Sequence, residues 1–367
     1  MSVTAEGRRR LSVVAASRND DHGEGMLGRM QIFVNGLAAQ TERHALEIEL
    51  VLVEWNPPDD RPRLEEALIW PSSPHFEVRI VEVPPAAHES LPGSELLGMY
   101  EMLAKNVGLR RATAPFVASV NVDVAFSDSL AHALATVDLE AGTFYRAERV
   151  DVDRAIDGSL PMDEFLAVCA RSIVRRHGSV TTVEVGESPS AASAETRLTS
   201  PRVTKLVRAV RHAPGVVARD LKTPWRLPAS VKQRWRAETG LHLNASGDFT
   251  LMAREDWWRL RGYSELALHG LQLDGLLLVR AFHQGMKQVI LPGDLYHVDH
   301  GRWRPVQRDE ETGPNEPPRM SFPEYWELAA AYARGEEPIP VNAESWGMGD
   351  VELNETMGSA LSGDTLA

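Results

Sequence analysis

The sequence predicts an α/β fold of three layers, α/β/α, around a central, mostly parallel mixed sheet. Short apolar runs recur near residues 11, 48, 76 and 116, segments of helical period separate them, and polar residues follow where several of the runs end. Length and composition agree with one large folded unit: 367 residues with 43% hydrophobic content can bury a sizeable core. The net charge of −13 argues against a nucleic-acid partner, because phosphate backbones select basic surfaces. The lone Cys169 excludes an intramolecular disulfide and a cysteine-built metal site. No apolar run approaches the ~20 residues that cross a bilayer, and the first residues carry no signal-like apolar region, so the expected location is cytoplasmic.

Leu11–Ala15 reads as the first strand, a polar loop Ser17-Arg18-Asn19-Asp20-Asp21 follows it, and Leu27, Met30, Val34 and Leu37 space a helix. The loop lacks the Gly-x-Gly-x-x-Gly turn of dinucleotide-binding enzymes. Glu47–Glu54 is the second strand, ending in Glu54-Trp55-Asn56-Pro57-Pro58, and Phe76–Val83 is the third. Leu96, Tyr100, Leu103 and Val107 recur at helical spacing; Thr113-Ala114-Pro115 breaks that helix, and Phe116–Val120 is a buried strand. Asn121 and Asp123 follow where this strand ends. Ligands of open α/β sheets bind beyond the carboxyl ends of strands, so these two polar side chains can share a crevice, and a carboxylate there suits a divalent cation.

Lys105-Asn106-Val107-Gly108, then Arg111-Ala112 and the strand into Asn121-Val122-Asp123, resembles the core of GT-A-fold glycosyltransferases, especially the family 2 type. The resemblance implies a nucleoside-diphosphate sugar donor and a Mn²⁺ or Mg²⁺ ion on Asp123 that neutralises the pyrophosphate. Asn121 stands where the family has the first Asp of its DxD-like motif, keeping an oxygen but losing a charge. Carried over by position, Ser17, Arg18 and Asn19 would hold the nucleotide's base and ribose, Glu54 would accept hydrogen bonds from the nucleoside, and Lys105, Asn106 and Asn121 would complete the donor site. Trp55 offers a stacking face, or else packs under the proline turn.

Ser127 and Asp128 open another helix, and Thr143–Val152 is a strand whose Tyr145, Arg146 and Arg149 are candidates for phosphate or sugar contacts. Asp163–Arg176 has the pattern of an amphipathic helix. Gly178–Ser200 reads as an aperiodic insertion, and Arg202–Arg236 is strongly basic, a charge reversal that suits a lid, an anionic acceptor, a peripheral membrane contact or a solvated helix face.

His242–Arg254 places Gly247 and Asp248 before a strand, and Trp257 on the helix after it; in the resemblance this is the acceptor side. Asp274, near the start of a helix carrying Leu277 and Phe282, matches the position of the family's catalytic base, with His269 in reserve. The helix dipole alone would also favour an acid there. After the strand Lys287–Leu291, His297 and His300 lie three apart, and His300 is the expected second metal ligand. Phe322–Arg334 is helical, and the stretch around Trp346 is expected to fold over the site.

The chain thus divides into a nucleotide-sugar half (1–160), an inserted helix with a flexible and basic segment (161–240), an acceptor and catalytic half of the same domain (241–310), and a C-terminal helix and tail (311–367). The expected activity is metal-assisted, inverting transfer of a sugar from a nucleoside diphosphate to an acceptor hydroxyl, of hexosyltransferase type. Two alternatives stand beside it. A nucleotidyltransferase would share the platform but would carry a basic, glycine-rich first loop, and a non-catalytic nucleotide-sugar or glycan-binding protein would explain Asn121.

Overall fold

The computed structural model describes residues 8–20, 25–153, 156–178, 182–184, 240–300 and 318–358. Strands β1 (Arg9–Ser17), β2 (Leu46–Trp55), β3 (Phe76–Val83) and β4 (Phe116–Val120) form a parallel block in the order β3-β2-β1-β4. Helices α1 (Met26–Arg43) and α4 (Glu101–Arg111), with the short α2 (Leu64–Ala67) and α3 (Pro85–Glu89), connect these strands. Beyond β4 the sheet becomes mixed and continues β9-β6-β10-β5, where β5 is Val124–Phe126, β6 Thr143–Val152, β9 Phe249–Ala253 and β10 Lys287–Val298. Two further strands, β7 (Ile173–His177) and β8 (Thr182–Glu184), extend from β6, and β11 (Asn354–Met357) pairs antiparallel with β3 at the far edge. Strands from early and late in the chain therefore alternate within one sheet.

Period-2 alternation makes the three layers. Leu11, Val13 and Ala15 face one core while Val14 and Ala16 face the other, and Leu50 and Leu52 oppose Val51 and Val53 in the same way. The first core is covered by α1 and α5 (Asp128–Thr136), the second by α4, α7 (Arg254–Leu260), α8 (Leu273–His283) and α9 (Phe322–Ala333). Burying each such Val or Leu fully is worth about 1.5–3 kcal/mol, so this alternation supplies the main drive to fold. The cap residues follow the sequence: the Ser127 hydroxyl accepts from the Leu130 N–H at 3.2 Å, and Ser321 with Glu324 forms a capping box on α9. Among the described residues no helix is long and apolar enough to cross a membrane.

Four expectations need correction. Helix α4 begins at Glu101, so Leu96 lies in the turn before it; the Gly98 carbonyl, which a longer helix would use, accepts from Arg18 at 2.8 Å and Asn56 at 3.2 Å. The helix expected to reach Arg176 ends at Arg171 (α6, Met162–Arg171), because Arg175 and His177 enter strand β7 and bind the Asp151 carboxylate on β6. Strand β10 runs past Leu291 to Val298. The Trp346 segment does not cover the crevice: Trp346 is buried against Trp258, and Arg111 donates to the Gly347 carbonyl at 2.8 Å, on the outer side of α4. Of the expected insertion after Gly178 only β8 is described, and the basic stretch 202–236 lies outside the described residues.

Glu54, one residue before the end of β2, has both carboxylate oxygens accepting from the Leu64 N–H at 3.0 and 3.1 Å, which anchors the start of α2. Burial pushes this carboxyl from 4.5 up to about 7, against the pull of the Leu64 hydrogen bond. A carboxyl raised in the folded state favours folding fully below its unfolded value, and that contribution is lost as pH rises through the folded value. Glu54→Gln keeps a carbonyl oxygen for Leu64 and removes the charge. Urea titrations from about pH 5 to about pH 8 are expected to show the variant gaining on wild type by about 1–3 kcal/mol, and parallel stability curves would contradict the assignment.

Candidate active site

A cavity of about 280 Å³ opens where β1 and β4 end, lined by Ser17, Arg18, Asp20, Arg29, Glu101, Asn121, Asp123, His269 and His300 among others. The turn after β4 delivers Asp123. Strand β10 delivers His297 through its register, opposite Val124 on β5 and Asp151 on β6, and His300 follows just beyond the strand end. One ligand atom from each of Asp123, His297 and His300 lies within 4.8 Å of the others. His297 Nε2 is 3.3 Å and His300 Nε2 3.8 Å from Asp123 Oδ2.

The electrostatics of Asp123 and His300 suit a cation, whereas at His297 burial and Arg149 would lower the imidazole but Asp123 and Asp151 push it up, so an ion there would have to displace a proton. Burial would raise the Asp123 carboxyl, but the neighbouring His297, with Arg149 and His300 behind it, holds it well below the usual carboxylate range. Burial and then His297 push the His300 imidazole down, which keeps its nitrogens in the neutral, ligating form. Asp123 Oδ1 and His300 Nδ1 are buried without a hydrogen-bond partner among the described residues. A carboxylate and two imidazoles in this arrangement fit a divalent ion.

His297 is oriented from behind. Its Nδ1 lies 2.9 Å from Arg149 Nη2 and 3.2 Å from Asp151 Oδ1, leaving Nε2 towards Asp123. Arg149 and Asp151 are two apart on β6 and so share a face. Burial would raise the Asp151 carboxyl, yet hydrogen bonds from His177 and His297 and the charge of Arg149 hold it far below its ordinary value.

Beneath the cavity floor runs a chain of alternating polarity. The Lys105 ammonium donates to Glu101 Oε1 at 2.7 Å, Asn121 Oδ1 at 2.6 Å and the Gly247 carbonyl at 2.9 Å. Asn121 Nδ2 donates to Asp248 Oδ1 at 2.6 Å, and Asp248 Oδ2 pairs with Arg149 at 2.8 Å. An ammonium only donates and a carboxylate only accepts, so the bridge between Lys105 and Asp248 needs a group that does both, as the Asn121 amide does. Asn121 therefore acts as a connector at the position where the resemblance implies a metal-ligating acid.

The cavity gathers Ser17, Arg18, Asn121, Asp123, His269 and His300 from the expected site. The others lie elsewhere. Asn19 donates to the Pro62 carbonyl at 3.0 Å, and Glu54 anchors α2 as described. Asn106 is fully buried, exchanging hydrogen bonds with the backbone of Tyr263 at 2.8 Å in both directions. Lys105, Gly247 and Asp248 belong to the sub-floor network. Trp257 is fully buried and donates to the Val117 carbonyl at 2.9 Å, and Trp55 packs with its indole N–H on His88 at 3.0 Å. Asp274 Oδ2 accepts from Ser246 Oγ at 2.7 Å and the Gly247 N–H at 2.6 Å; burial raises its carboxyl pKa despite Ser246. Tyr145, Arg146 and Arg149 are likewise spent on internal partners: the Tyr145 hydroxyl accepts from the Glu140 N–H at 2.7 Å, and Arg146 donates to the carbonyls of Asn244, Ala245 and Ser246. His297 and Asp151 are the residues that sequence reasoning underrated. The usable signal was the His-x-x-His spacing combined with a β10 strand long enough to carry its first member.

No protein-family model matches the sequence, and no curated protein sequence does. Among solved structures the chain is similar to a mannosyltransferase from Pyrobaculum calidifontis in complex with GDP-Man and Mn²⁺, at 15% identity and TM-score 0.37, covering 81% of this chain and 59% of that one. It is similar to the catalytic domain of Drosophila β1,4-galactosyltransferase 7 in complex with xylobiose, at 11% identity and TM-score 0.36, covering 84% of this chain and 77% of the other. A third likeness is to S. aureus TarS residues 1–349, at 14% identity and TM-score 0.37, covering 79% and 60%. The chain thus spans about three-fifths of the first and third of these. At these TM-scores the likeness is one of outline, and the chemistry has to be read from the side chains.

The connector assignment makes Asn121→Asp harmful, although it would restore the family's acid. The new carboxylate would face Asp248 across 2.6 Å. Urea denaturation near neutral pH is expected to show a loss of about 1–3 kcal/mol. A variant as stable as wild type would show that the amide does not bridge these groups.

Proposed function

We propose that the chain is a GT-A-like glycosyltransferase that uses a nucleoside-diphosphate sugar and a divalent cation, transferring the sugar to an acceptor hydroxyl with inversion. The observation that carries this reading is the cluster of Asp123, His297 and His300, of which Asp123 and His300 line the same cavity as the first βα loop. Asp123, His297 and His300 would hold the cation, which when bound supplies positive charge to a departing diphosphate. Arg18 and Arg29 line the same cavity and add fixed positive charge beside it, while Ser17 offers a hydroxyl to the nucleoside. Ala16, Met26, Leu97 and Met99 give the cavity an apolar lining suited to the flat face of a base. The acidic carboxylates there are tied to cations of the protein itself: Asp20 to Arg18 at 3.3 Å and Glu101 to Lys105 at 2.7 Å.

Two imidazoles beside one carboxylate favour Mn²⁺ over the harder, oxygen-preferring Mg²⁺. Thermal-shift titration against UDP-, GDP- and dTDP-sugars is expected to show donor stabilisation that needs Mn²⁺, about 2.7 kcal/mol at 100 times the dissociation constant, with a weaker effect of Mg²⁺. Asp123→Ala and His297→Ala are each expected to abolish the Mn²⁺-dependent shift and the Mn²⁺-dependent release of sugar. Tight donor binding with no turnover in any assay would favour a binding module instead, and metal-independent turnover would remove the cation from the reading.

A further inference from the structure

Three carboxylates line the cavity, and the structure gives them different duties. Asp123 belongs to the cation cluster, and Asp20 is paired with Arg18 on the first-loop side. Glu101 stands at the first residue of α4, on the wall it shares with His269 and Gly270. Its Oε1 is fixed by the fully buried Lys105 ammonium at 2.7 Å, while Oε2 accepts no hydrogen bond from the described residues. Gly270 keeps the space over that second oxygen open, since a Cβ there would lie 2.8 Å from Oε2. One oxygen is therefore aimed by a rigid cation and the other is open to a ligand. Asp274 is the reverse case: the oxygen it presents to the Ser246–Gly247 turn accepts two hydrogen bonds, and the residue does not line the cavity.

The geometry points to Glu101 as the catalytic base that takes the proton of the acceptor hydroxyl, a role that rests on the transfer reading above. As the acceptor oxygen forms its bond to the anomeric carbon, Oε2 takes the hydroxyl proton. The bond between that carbon and the diphosphate oxygen breaks, and its electron pair leaves with the nucleoside diphosphate. The proton then passes from Glu101 to solvent, so the products are the glycoside, the nucleoside diphosphate and one proton. Lys105 is a positioning residue in this scheme, since it touches Glu101 and not the substrate. Gly270 keeps the approach clear.

Glu101→Gln tests the assignment, because glutamine retains a carbonyl oxygen for Lys105 but cannot accept the proton. The probe is hydrolysis of UDP-, GDP- and dTDP-sugars with Mn²⁺, water serving as the acceptor. The expected result is a fall in kcat of about 10²- to 10⁴-fold, with KM and the Mn²⁺-dependent thermal shift by the donor unchanged. If Glu101→Gln loses the fold, Glu101→Asp keeps the charge and withdraws the carboxylate by one methylene; the same split between lost kcat and retained donor binding is expected. Wild-type turnover in the folded variant overturns the base assignment and leaves the transfer reading standing. Loss of donor binding together with turnover also overturns it, since that outcome marks Glu101 as a donor-site or structural residue. A wild-type protein that neither binds nor hydrolyses any donor overturns the transfer reading itself.

Discussion

An ammonium buried to full exclusion of solvent is tolerable only where each of its N–H groups finds an acceptor, and Lys105 meets that condition with partners from three separate parts of the chain. Burial by itself would lower its pKa, but Glu101, Tyr263 and Asp248 together outweigh the cost and the charged form is retained. Those partners are a carboxylate on α4, the amide that ends β4 and a carbonyl just ahead of β9. Removing a partner from such a group typically costs about 3–5 kcal/mol, because the remaining charge has nowhere to go. The parallel block and the late strands are thus pinned together at one point beneath the cavity. The positions of Glu101, Asn121 and the Gly247 turn follow from that pin.

From Lys105 the polar network continues through Asn121, Asp248, Arg149 and Asp151 to His297 without a break in hydrogen bonding. Each buried charge has neighbours of opposite sign, so the low polarity of the interior strengthens the contacts instead of penalising the groups. This places the burden of precision on strand register. Asp151 stands beside His297 on β10 and beside Arg175 on β7, and a slip of one residue would turn all of these side chains to the opposite face. In the Asp123–His297–His300 cluster at the surface of the network, His297 takes its place from the sheet, while Asp123 stands in the turn after β4 and His300 just beyond the end of β10.

The same features divide what could be read in the sequence from what could not. Strands β1 to β4 were legible because their apolar residues alternate between two cores, a pattern that local sequence carries. Asp123 was legible because a carboxylate just past a buried strand has a defined exit. The motif Lys105-Asn106-x-Gly108 was legible too, but its meaning was not: Lys105 meets Gly247 and Asn106 meets Tyr263, partners 142 and 157 residues away. Gly108 serves close packing, since a Cβ there would lie 2.5 Å from Val14 and 3.1 Å from Val53. Helix ends were misjudged where a distant side chain claimed the backbone or a neighbouring residue, as Arg18 does at Gly98 and Asp151 does at Arg175 and His177. Periodicity cannot report such contacts.

Asn121 bears on how the Asp123–His297–His300 cluster is built. An acid at that position would share the floor with Asp248 and Asp123, bringing three carboxylates to one side of the cavity with Lys105 and Arg149 already committed. The amide keeps the floor uncharged at its centre, and the further groups that could ligate a cation are imidazoles, one near the end of β10 and one just beyond it. Such a site carries one formal negative charge from the protein, so a divalent ion bound there would keep a net positive charge to present to an anion. The departure from the acidic pattern and the two histidines fit one arrangement: a carboxylate lost beside Asp248 is matched by imidazoles that, once His297 gives up its proton, could hold a cation without cancelling its charge.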